Sequence, residues 1–430
     1  MNLHPHVQGM RQSATLWINH QSRLLEAAGK PVFKWGLGQS PFPVPERIVG
    51  ALKSRAHEKD YLPVEGCRAL REAVAFYNHR TLGVNTEAED VLIGPGSKEL
   101  MFLLQLVFGG EIVIPSPSWV SYSPQASMLG RPTHWIPTSE ENGWRLTADE
   151  LESWCATQPP GERLLILNYP NNPTGCSYTS SALQSLASIA RKYRLLVLSD
   201  EIYGELHFDG AHDSLARYYP EGTVVSSGLS KWCGAGGWRL GTFAFPRELA
   251  WLKEAVAAAA SETFTSTSAP IQYAAIPAFQ GGSDIDTYLD GSRRVLKHVV
   301  QFTLDRLAEV QVHAPAVDGA FYIFPNFEFH REALAARGIH SSPQLCQAVL
   351  EETGVAFLPG TAFGRPPEEL TARMSLVDFD GEMALMLAAG ENGSELGSVL
   401  RDTCCSRMVQ GTRSLVEWVE AQSSYPREYS

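Results

Sequence analysis

With 430 residues, 44% of them hydrophobic and 19% charged, the chain has the make-up of a globular protein longer than one ordinary core, so a large and a small domain are expected. Its formal net charge of -12, with no block of lysines and arginines, excludes nucleic acid and anionic membrane surfaces as natural partners, and no apolar run is long enough to cross a bilayer. The seven cysteines are scattered without a C-x-x-C pair, which argues against a disulfide framework and a structural zinc site; with no secretory signal at the N-terminus, a soluble, cytoplasmic chain acting on small molecules is expected.

In chain order, a helix is predicted over residues 13–29, followed by the Pro-rich stretch "GLGQSPFPVP" at 36–45. From about residue 90 to about residue 245, short apolar runs alternate with helical patterns: "DVLIG", "EIVIP", "RLLILN", "LLVLSD", "TVVSSG" and "GTFAF". That alternation predicts an α/β domain with a mostly parallel sheet. Helices are expected over 97–108, over 180–194 with Thr179 or Ser180 as N-cap, and over 284–310, the last long enough to link two domains. Beyond it, "GAFYIFP", "GVAFLPG" and "ARMSLV" form a shorter α+β pattern suited to a smaller domain, against which the N-terminal segment is expected to pack. Residues 388–398, "AAGENGSELGS", read as a loop or insertion before a last amphipathic helix over 405–421, and the N-x-[ST] match at Asn392 reads as accidental.

Open α/β sheets bind ligands at the carboxyl ends of their strands, so the polar strand ends carry the first candidates. Asp200 ends "LLVLSD", and a carboxylate at the tip of an apolar run is costly unless it meets a cation that the chain itself need not supply. Tyr203 follows three residues later. In "SSGLSKWCGAGGWRLG", Lys231 stands among small residues, where an apolar wall or a second cation favours the neutral, nucleophilic amine. Arg239, eight residues on, offers a guanidinium fork suited to phosphate, and Gly234, Gly236 and Gly237 permit close backbone approach. In "GPGSKEL", Gly94 and Gly96 lead from a strand into a helix opened by Ser97, so free N–H groups and the helix dipole face an anion. Neither a dinucleotide fingerprint nor a P-loop occurs, which disfavours a nicotinamide-dependent dehydrogenase.

Taken as an ordered set, "GLGQSPFPVP", "YLPVEGCRALREAV", "PSWVSY", "NNPTG", "SDEIY", "SKWCGAGGWRLG" and "RMS" resemble the class I/II aminotransferase family of fold type I pyridoxal 5'-phosphate enzymes, over about residues 13 to 380. The resemblance implies a large domain over 46–290, with a mostly parallel seven-stranded sheet between helices. It also implies a smaller α+β domain made from both chain ends, 1–45 and 291–430. The implied cofactor is pyridoxal 5'-phosphate. Lys231 resembles the lysine that bonds to it, Arg239 the phosphate-binding arginine, and Asp200 the partner of the pyridine nitrogen. Tyr203 and Asn172 match donors to the ring's phenolic oxygen, and Trp119 the aromatic that stacks on the ring. Gly96, Ser97 and Ser230 match the phosphate cup, and Tyr61 a tyrosine that reaches it from the other subunit of a homodimer.

Arg373 and Gly38 match the contacts to the substrate α-carboxylate. Lys98, inside the cup turn, coincides with a lysine that some relatives place near a second carboxylate, and Trp17 with an N-terminal aromatic lining the pocket. The implied activity is transfer of an amino group from an L-amino acid to a 2-oxo acid by a ping-pong mechanism, with dicarboxylic or aromatic substrates. A lyase or oxidase on the same cofactor, or a non-catalytic regulator on the same fold, remains open at this point. Two departures stand out. Gly228, three residues before the lysine, occupies a position where the family commonly has a phosphate-binding serine, which neighbouring Ser227 would have to replace; and the segment 388–404 looks longer than usual.

Overall fold

The computed structural model describes residues 3–10, 13–390 and 395–423. A short strand, β1 (Phe33–Lys34), lies apart from the central sheet. Among the described residues that sheet has seven strands: β2 (Val91–Gly94), β3 (Glu111–Ser116), β4 (Thr133–Pro137), β5 (Arg163–Asn168), β6 (Leu196–Asp200), β7 (Thr223–Gly228) and β8 (Gly241–Ala244). Their spatial order is β2-β8-β7-β6-β5-β3-β4, with β8 antiparallel to both neighbours and every other pairing parallel. Six of the seven coincide with apolar runs read from the sequence; β4, at the sheet edge, does not.

Alternation of side chains across the pleat explains why these runs are apolar throughout. Ile112, Ile114, Leu164, Ile166 and Leu198 face one layer, packing with the helices Ser97–Val107 and Ala250–Ser261. Val113, Leu165, Leu167 and Val197 face the other, with the helices Ala148–Thr157 and Ser180–Lys192. A strand covered on both faces needs apolar residues at every position, whereas a half-solvated strand would alternate. The helix Ser180–Lys192 starts at Thr179, whose side chain accepts from the Ala182 N–H.

The remaining strands, β9 (Tyr322–Ile323), β10 (Val355–Ala356), β11 (Leu358–Pro359) and β12 (Ala372–Ser375), belong to the C-terminal part. β1 pairs parallel with β10, joining the two ends of the chain, and β11-β12-β9 form a three-stranded antiparallel sheet. The long helix Ser283–Glu309 runs between the two parts. The expectation of a loop over 388–398 is corrected. Residues up to Gly390 end the helix Gly381–Gly390, and a further helix, Leu396–Thr403, seats Leu396, Gly397 and Leu400 in the core, while 391–394, including Asn392, lie outside the described residues. Glycines and a serine made that segment read as irregular, but its Leu396 and Leu400 lie one turn apart on the buried face.

The topology gathers one edge of the sheet into a functional rim. β2, β5, β6 and β7 all end there, at Gly94, Asn168, Asp200 and Gly228, and the antiparallel β8 begins there, at Gly241.

Candidate active site

A cavity of about 520 Å3 opens over that rim, walled on the far side by residues of the N- and C-terminal parts. Of the residues singled out from the sequence, Gly38, Ser97, Lys98, Trp119, Asn172, Asp200, Tyr203, Ser230, Lys231, Arg239 and Arg373 line it. They come from strands, helix starts and loops separated by up to several hundred residues, so their convergence is a property of the fold.

Asp200 lies fully enclosed at the cavity floor. Its carboxylate accepts from the Tyr122 hydroxyl at 2.6 Å and from the Ser226 hydroxyl at 3.3 Å. Even so, burial outweighs these hydrogen bonds and pushes its pKa up to about 6. The loop after β5 is tied to the same point: the Asn168 side chain donates to the Asp200 carbonyl and accepts from the Asn172 N–H. Lys231 shows the opposite shift. Burial, followed by the charge of Arg373, lowers its ammonium to about 8, against the opposing pull of Asp200. Its Nζ donates to the Gly38 carbonyl at 2.7 Å and stands 5.4 Å from the centre of the Tyr203 ring.

A cluster of glycines forms the anion cup. Ser97 and Lys98 open their helix, so their N–H groups have no intrahelical acceptor and the positive end of the dipole faces the cavity. Gly96 has φ +92°, and a Cβ there would meet the Arg239 guanidinium at 2.1 Å; a Cβ on Gly241 would meet the Ser97 N at 2.1 Å. Arg239 is held over the cup by donating to the Gly236 carbonyl at 2.8 Å and to that of Pro95 at 3.4 Å. Lys98 is exposed at the cavity mouth, 4.9 Å from the centre of the Trp119 ring; desolvation and the charge of Arg239 lower its pKa.

Arg373 is 1% exposed, yet its Nε has no hydrogen-bond partner among the described residues. Its other nitrogens donate to the Gly36 carbonyl and to Asn172 Oδ1. The guanidinium stacks between Tyr322 and Phe363, 4.9 and 5.1 Å from their ring centres. A buried guanidinium with no carboxylate partner and a spare donor is built to receive one.

Three expectations are revised by this geometry. Trp17 does not line the cavity and is 52% exposed; Ser13, Thr15 and Leu16 from the start of the helix Ala14–Ala27 line it instead, because each step of a helix turns the side chain by about 100°. Gly228 has no room for the hydroxyl that the family commonly places there. A Cβ there would fall 2.6 Å from the Leu240 carbonyl oxygen, so pairing of Gly228 with Gly241 on β8 excludes any side chain. Ser227 is buried and outside the cavity, so it does not take a serine's place there. Sequence reasoning also missed Tyr122 and Tyr322. The first lies three residues after Trp119 in "PSWVSY", and the second sits in "GAFYIFP"; neither motif names its partner.

Comparison with known proteins decides what this arrangement belongs to. The family model "Aminotransferase class I and II" matches residues 30–378. The chain belongs to that family. It is similar to an aspartate aminotransferase of Geobacillus stearothermophilus, 33% identical over 377 residues, covering 85% of this chain and 93% of that protein. It is also similar to an asparagine–oxo-acid transaminase of Streptococcus mutans, 32% identical and covering 83% and 91%. Among solved structures, the aspartate aminotransferase from Thermus thermophilus with maleate superposes with a TM-score of 0.83 at 25% identity, covering 97% of this chain and 99% of that one.

Aminotransferases of this family use pyridoxal 5'-phosphate, and the residues present fit it. An enclosed carboxylate poised near pH 6 suits a pyridine N–H, a depressed lysine suits covalent attachment, and the glycine cup beneath Arg239 suits a phosphate.

Two outcomes follow. Because the folded pKa of Asp200 lies above the ordinary carboxylate value, its burial costs the cofactor-free protein stability progressively as pH rises from about 4 to 6, and in full above that. Asp200→Asn should therefore keep or raise the Tm of the cofactor-free protein at pH 8, while cofactor affinity, measured by fluorescence titration, falls roughly tenfold or more. Gly228→Ser, which installs the hydroxyl that the family commonly has, should lower the Tm by several degrees and weaken phosphate binding, measured by the same melt and titration.

Proposed function

We propose that this aminotransferase exchanges amino groups between a dicarboxylic L-amino acid of the aspartate class and a 2-oxo acid in a ping-pong cycle. The observation that carries the substrate class is an excess of cations. Lys98, Lys231, Arg239 and Arg373 line the cavity against a single carboxylate, Asp200, and Lys98 has no acidic partner among the described residues. Phosphate at Arg239 and an α-carboxylate at Arg373 leave the Lys98 ammonium for a second carboxylate, in a cavity that the Ser13 and Thr15 hydroxyls of a helix N-terminus also line. Maleate, the ligand named with the Thermus thermophilus relative, is a dicarboxylate.

Roles follow from position. Ser97, Ser230, Arg239 and the cup N–H groups would hold the cofactor phosphate, Asp200 its pyridine nitrogen, Asn172 and Tyr203 its phenolic oxygen, and Trp119 its ring face. When bound, pyridoxal 5'-phosphate supplies an electron sink that acidifies the substrate Cα–H. Arg373, with Gly38, fixes the α-carboxylate and so the orientation of Cα. Lys231 Nζ, with a pKa near 8, loses and regains a proton close to neutral pH; it takes the proton from Cα and returns it on the other side of the exchange. The phenyl and phenol rings around Arg373 exclude water from its salt bridge.

Two copies are proposed to associate so that Tyr61, 88% exposed and outside its own chain's cavity, reaches the phosphate cup of its neighbour. Seven buried free cysteines support a cytoplasmic setting, and no helix among the described residues is long and apolar enough to cross a membrane. The division into a cofactor-binding domain over 46–290 and a smaller domain from 1–45 and 291–430 is supported by the confinement of β2–β8 to residues 91–244 and by the β1·β10 pair.

Lys98→Ala tests the substrate class. At saturating cofactor, kcat/KM for aspartate and glutamate should fall roughly tenfold to a hundredfold, the loss of one charge-assisted hydrogen bond, while that for alanine and phenylalanine stays within about threefold. An equal fall for all four would assign Lys98 to the cofactor and remove the dicarboxylate proposal.

A further inference from the structure

The Tyr322 ring shields Arg373, but its buried hydroxyl has been given no role. Its hydroxyl lies 2.7 Å from that of Tyr203, and the two phenols, meeting edge to face, are each other's hydrogen-bond partners among the described residues. The same hydroxyl sits directly against Gly38, where a Cβ would fall 1.9 Å from it. The Gly38 carbonyl in turn accepts from Lys231. On its ring face, Tyr322 carries the Arg373 guanidinium at 4.9 Å. One side chain thus touches the phenol beside the lysine, the backbone that receives the lysine, and the carboxylate clamp.

We propose that Tyr322 is a positioning residue for transamination: its hydroxyl donates to the Tyr203 oxygen, which leaves the Tyr203 proton committed to the bound cofactor. This rests on the assignment of Tyr203 to the cofactor's phenolic oxygen. Each ring has a cation near it, Lys231 Nζ 5.4 Å from the Tyr203 centre and the Arg373 guanidinium 4.9 Å from the Tyr322 centre. The Arg373 charge is permanent, whereas Lys231 is the amine committed to the cofactor, so Tyr322 is the more acidic phenol and the better donor. With the Tyr322 proton directed at its oxygen, Tyr203 keeps its own proton free to donate into the cavity, and that donation is strengthened because the donor itself accepts a hydrogen bond. A phenol free of Tyr322 would instead rotate between donating and accepting.

The consequence is electrostatic. Donation from Tyr203 stabilises negative charge on the cofactor oxygen, which weakens that oxygen's hold on the proton of the adjacent Lys231 nitrogen in the holoenzyme. Loss of the donor therefore raises the pH at which that nitrogen deprotonates. The charged and titratable groups facing this point are Asp200 and Tyr122 beneath it, Arg373 beside it, and Lys98 and Arg239 across the cavity; all are retained in a Tyr322→Phe variant, as is the ring under Arg373.

The test is a pH titration of the visible absorption of the holoenzyme. Tyr322→Phe should raise the midpoint by roughly half to one pH unit, lower kcat, and leave KM for the amino acid within about twofold, because the Arg373 contact remains. Since the effect passes through Tyr203, adding Tyr322→Phe to Tyr203→Phe should produce no further shift. An unmoved midpoint in Tyr322→Phe, or a full additive shift in the double variant, would overturn the role of Tyr322 while leaving the aminotransferase assignment in place. A wild-type protein with no visible band in the presence of pyridoxal 5'-phosphate would remove the assignment of the cofactor site, and this inference with it.

Discussion

An enclosed carboxylate and an enclosed amine share one cavity, and the surrounding structure is arranged around the cost of keeping them there. Asp200 ends a strand whose every residue is buried, so its charge depends on hydrogen bonds from Tyr122, the Ile202 backbone and Ser226 and on the field of Lys231. Lys231 stands in the same space with Arg373, and repulsion adds to burial in lowering its pKa. The two shifts run toward each other, to about 6 and about 8, which places both groups near the pH at which proton transfer is useful. Neither state is comfortable without a ligand. A cofactor bearing a protonated ring nitrogen and a phosphate would suit this arrangement, its ring nitrogen supplying Asp200 with a cation and its phosphate meeting the cup and Arg239.

Close backbone packing makes that solution possible. Gly228 and Gly241 pair at the ends of β7 and β8, and Gly241 supports the first residue of the helix that opens at Ser97. Gly96 then leaves room for Arg239, itself in a left-handed conformation at φ +55°. A single Cβ at any of these three glycines would push backbone or guanidinium away from the anion. Position 228 has no room for a serine side chain, and on the proposed reading phosphate recognition falls to main-chain N–H groups, Ser97, Ser230 and the arginine.

Much of this was legible in the chain because the chemistry sits where local pattern is strongest. Asp200, Asn168 and Gly228 mark the ends of fully buried strands, and Lys231 and Arg239 fall within one short motif. Less legible were residues whose meaning depends on a distant partner. Tyr122 bonds a residue 78 positions away and Tyr322 one 119 positions away, and no periodicity announces such pairs. Trp17 was misplaced by a single helical step, since a motif aligns residues but does not report which way a helix turns them. β4 escaped notice because an edge strand carrying Thr133, His134 and Trp135 is only partly buried and lacks the continuous apolar run of its neighbours.

The most direct test of Lys231 as the group that moves the Cα proton is a single half-reaction followed by absorption. Holoenzyme mixed with L-aspartate and no acceptor should lose its visible band while releasing an equal amount of 2-oxo acid and no ammonia, whereas Lys231→Ala carrying the cofactor should bind aspartate and produce no oxo acid at a comparable rate. Undiminished oxo-acid formation in Lys231→Ala, or release of ammonia by the wild type, would contradict the account.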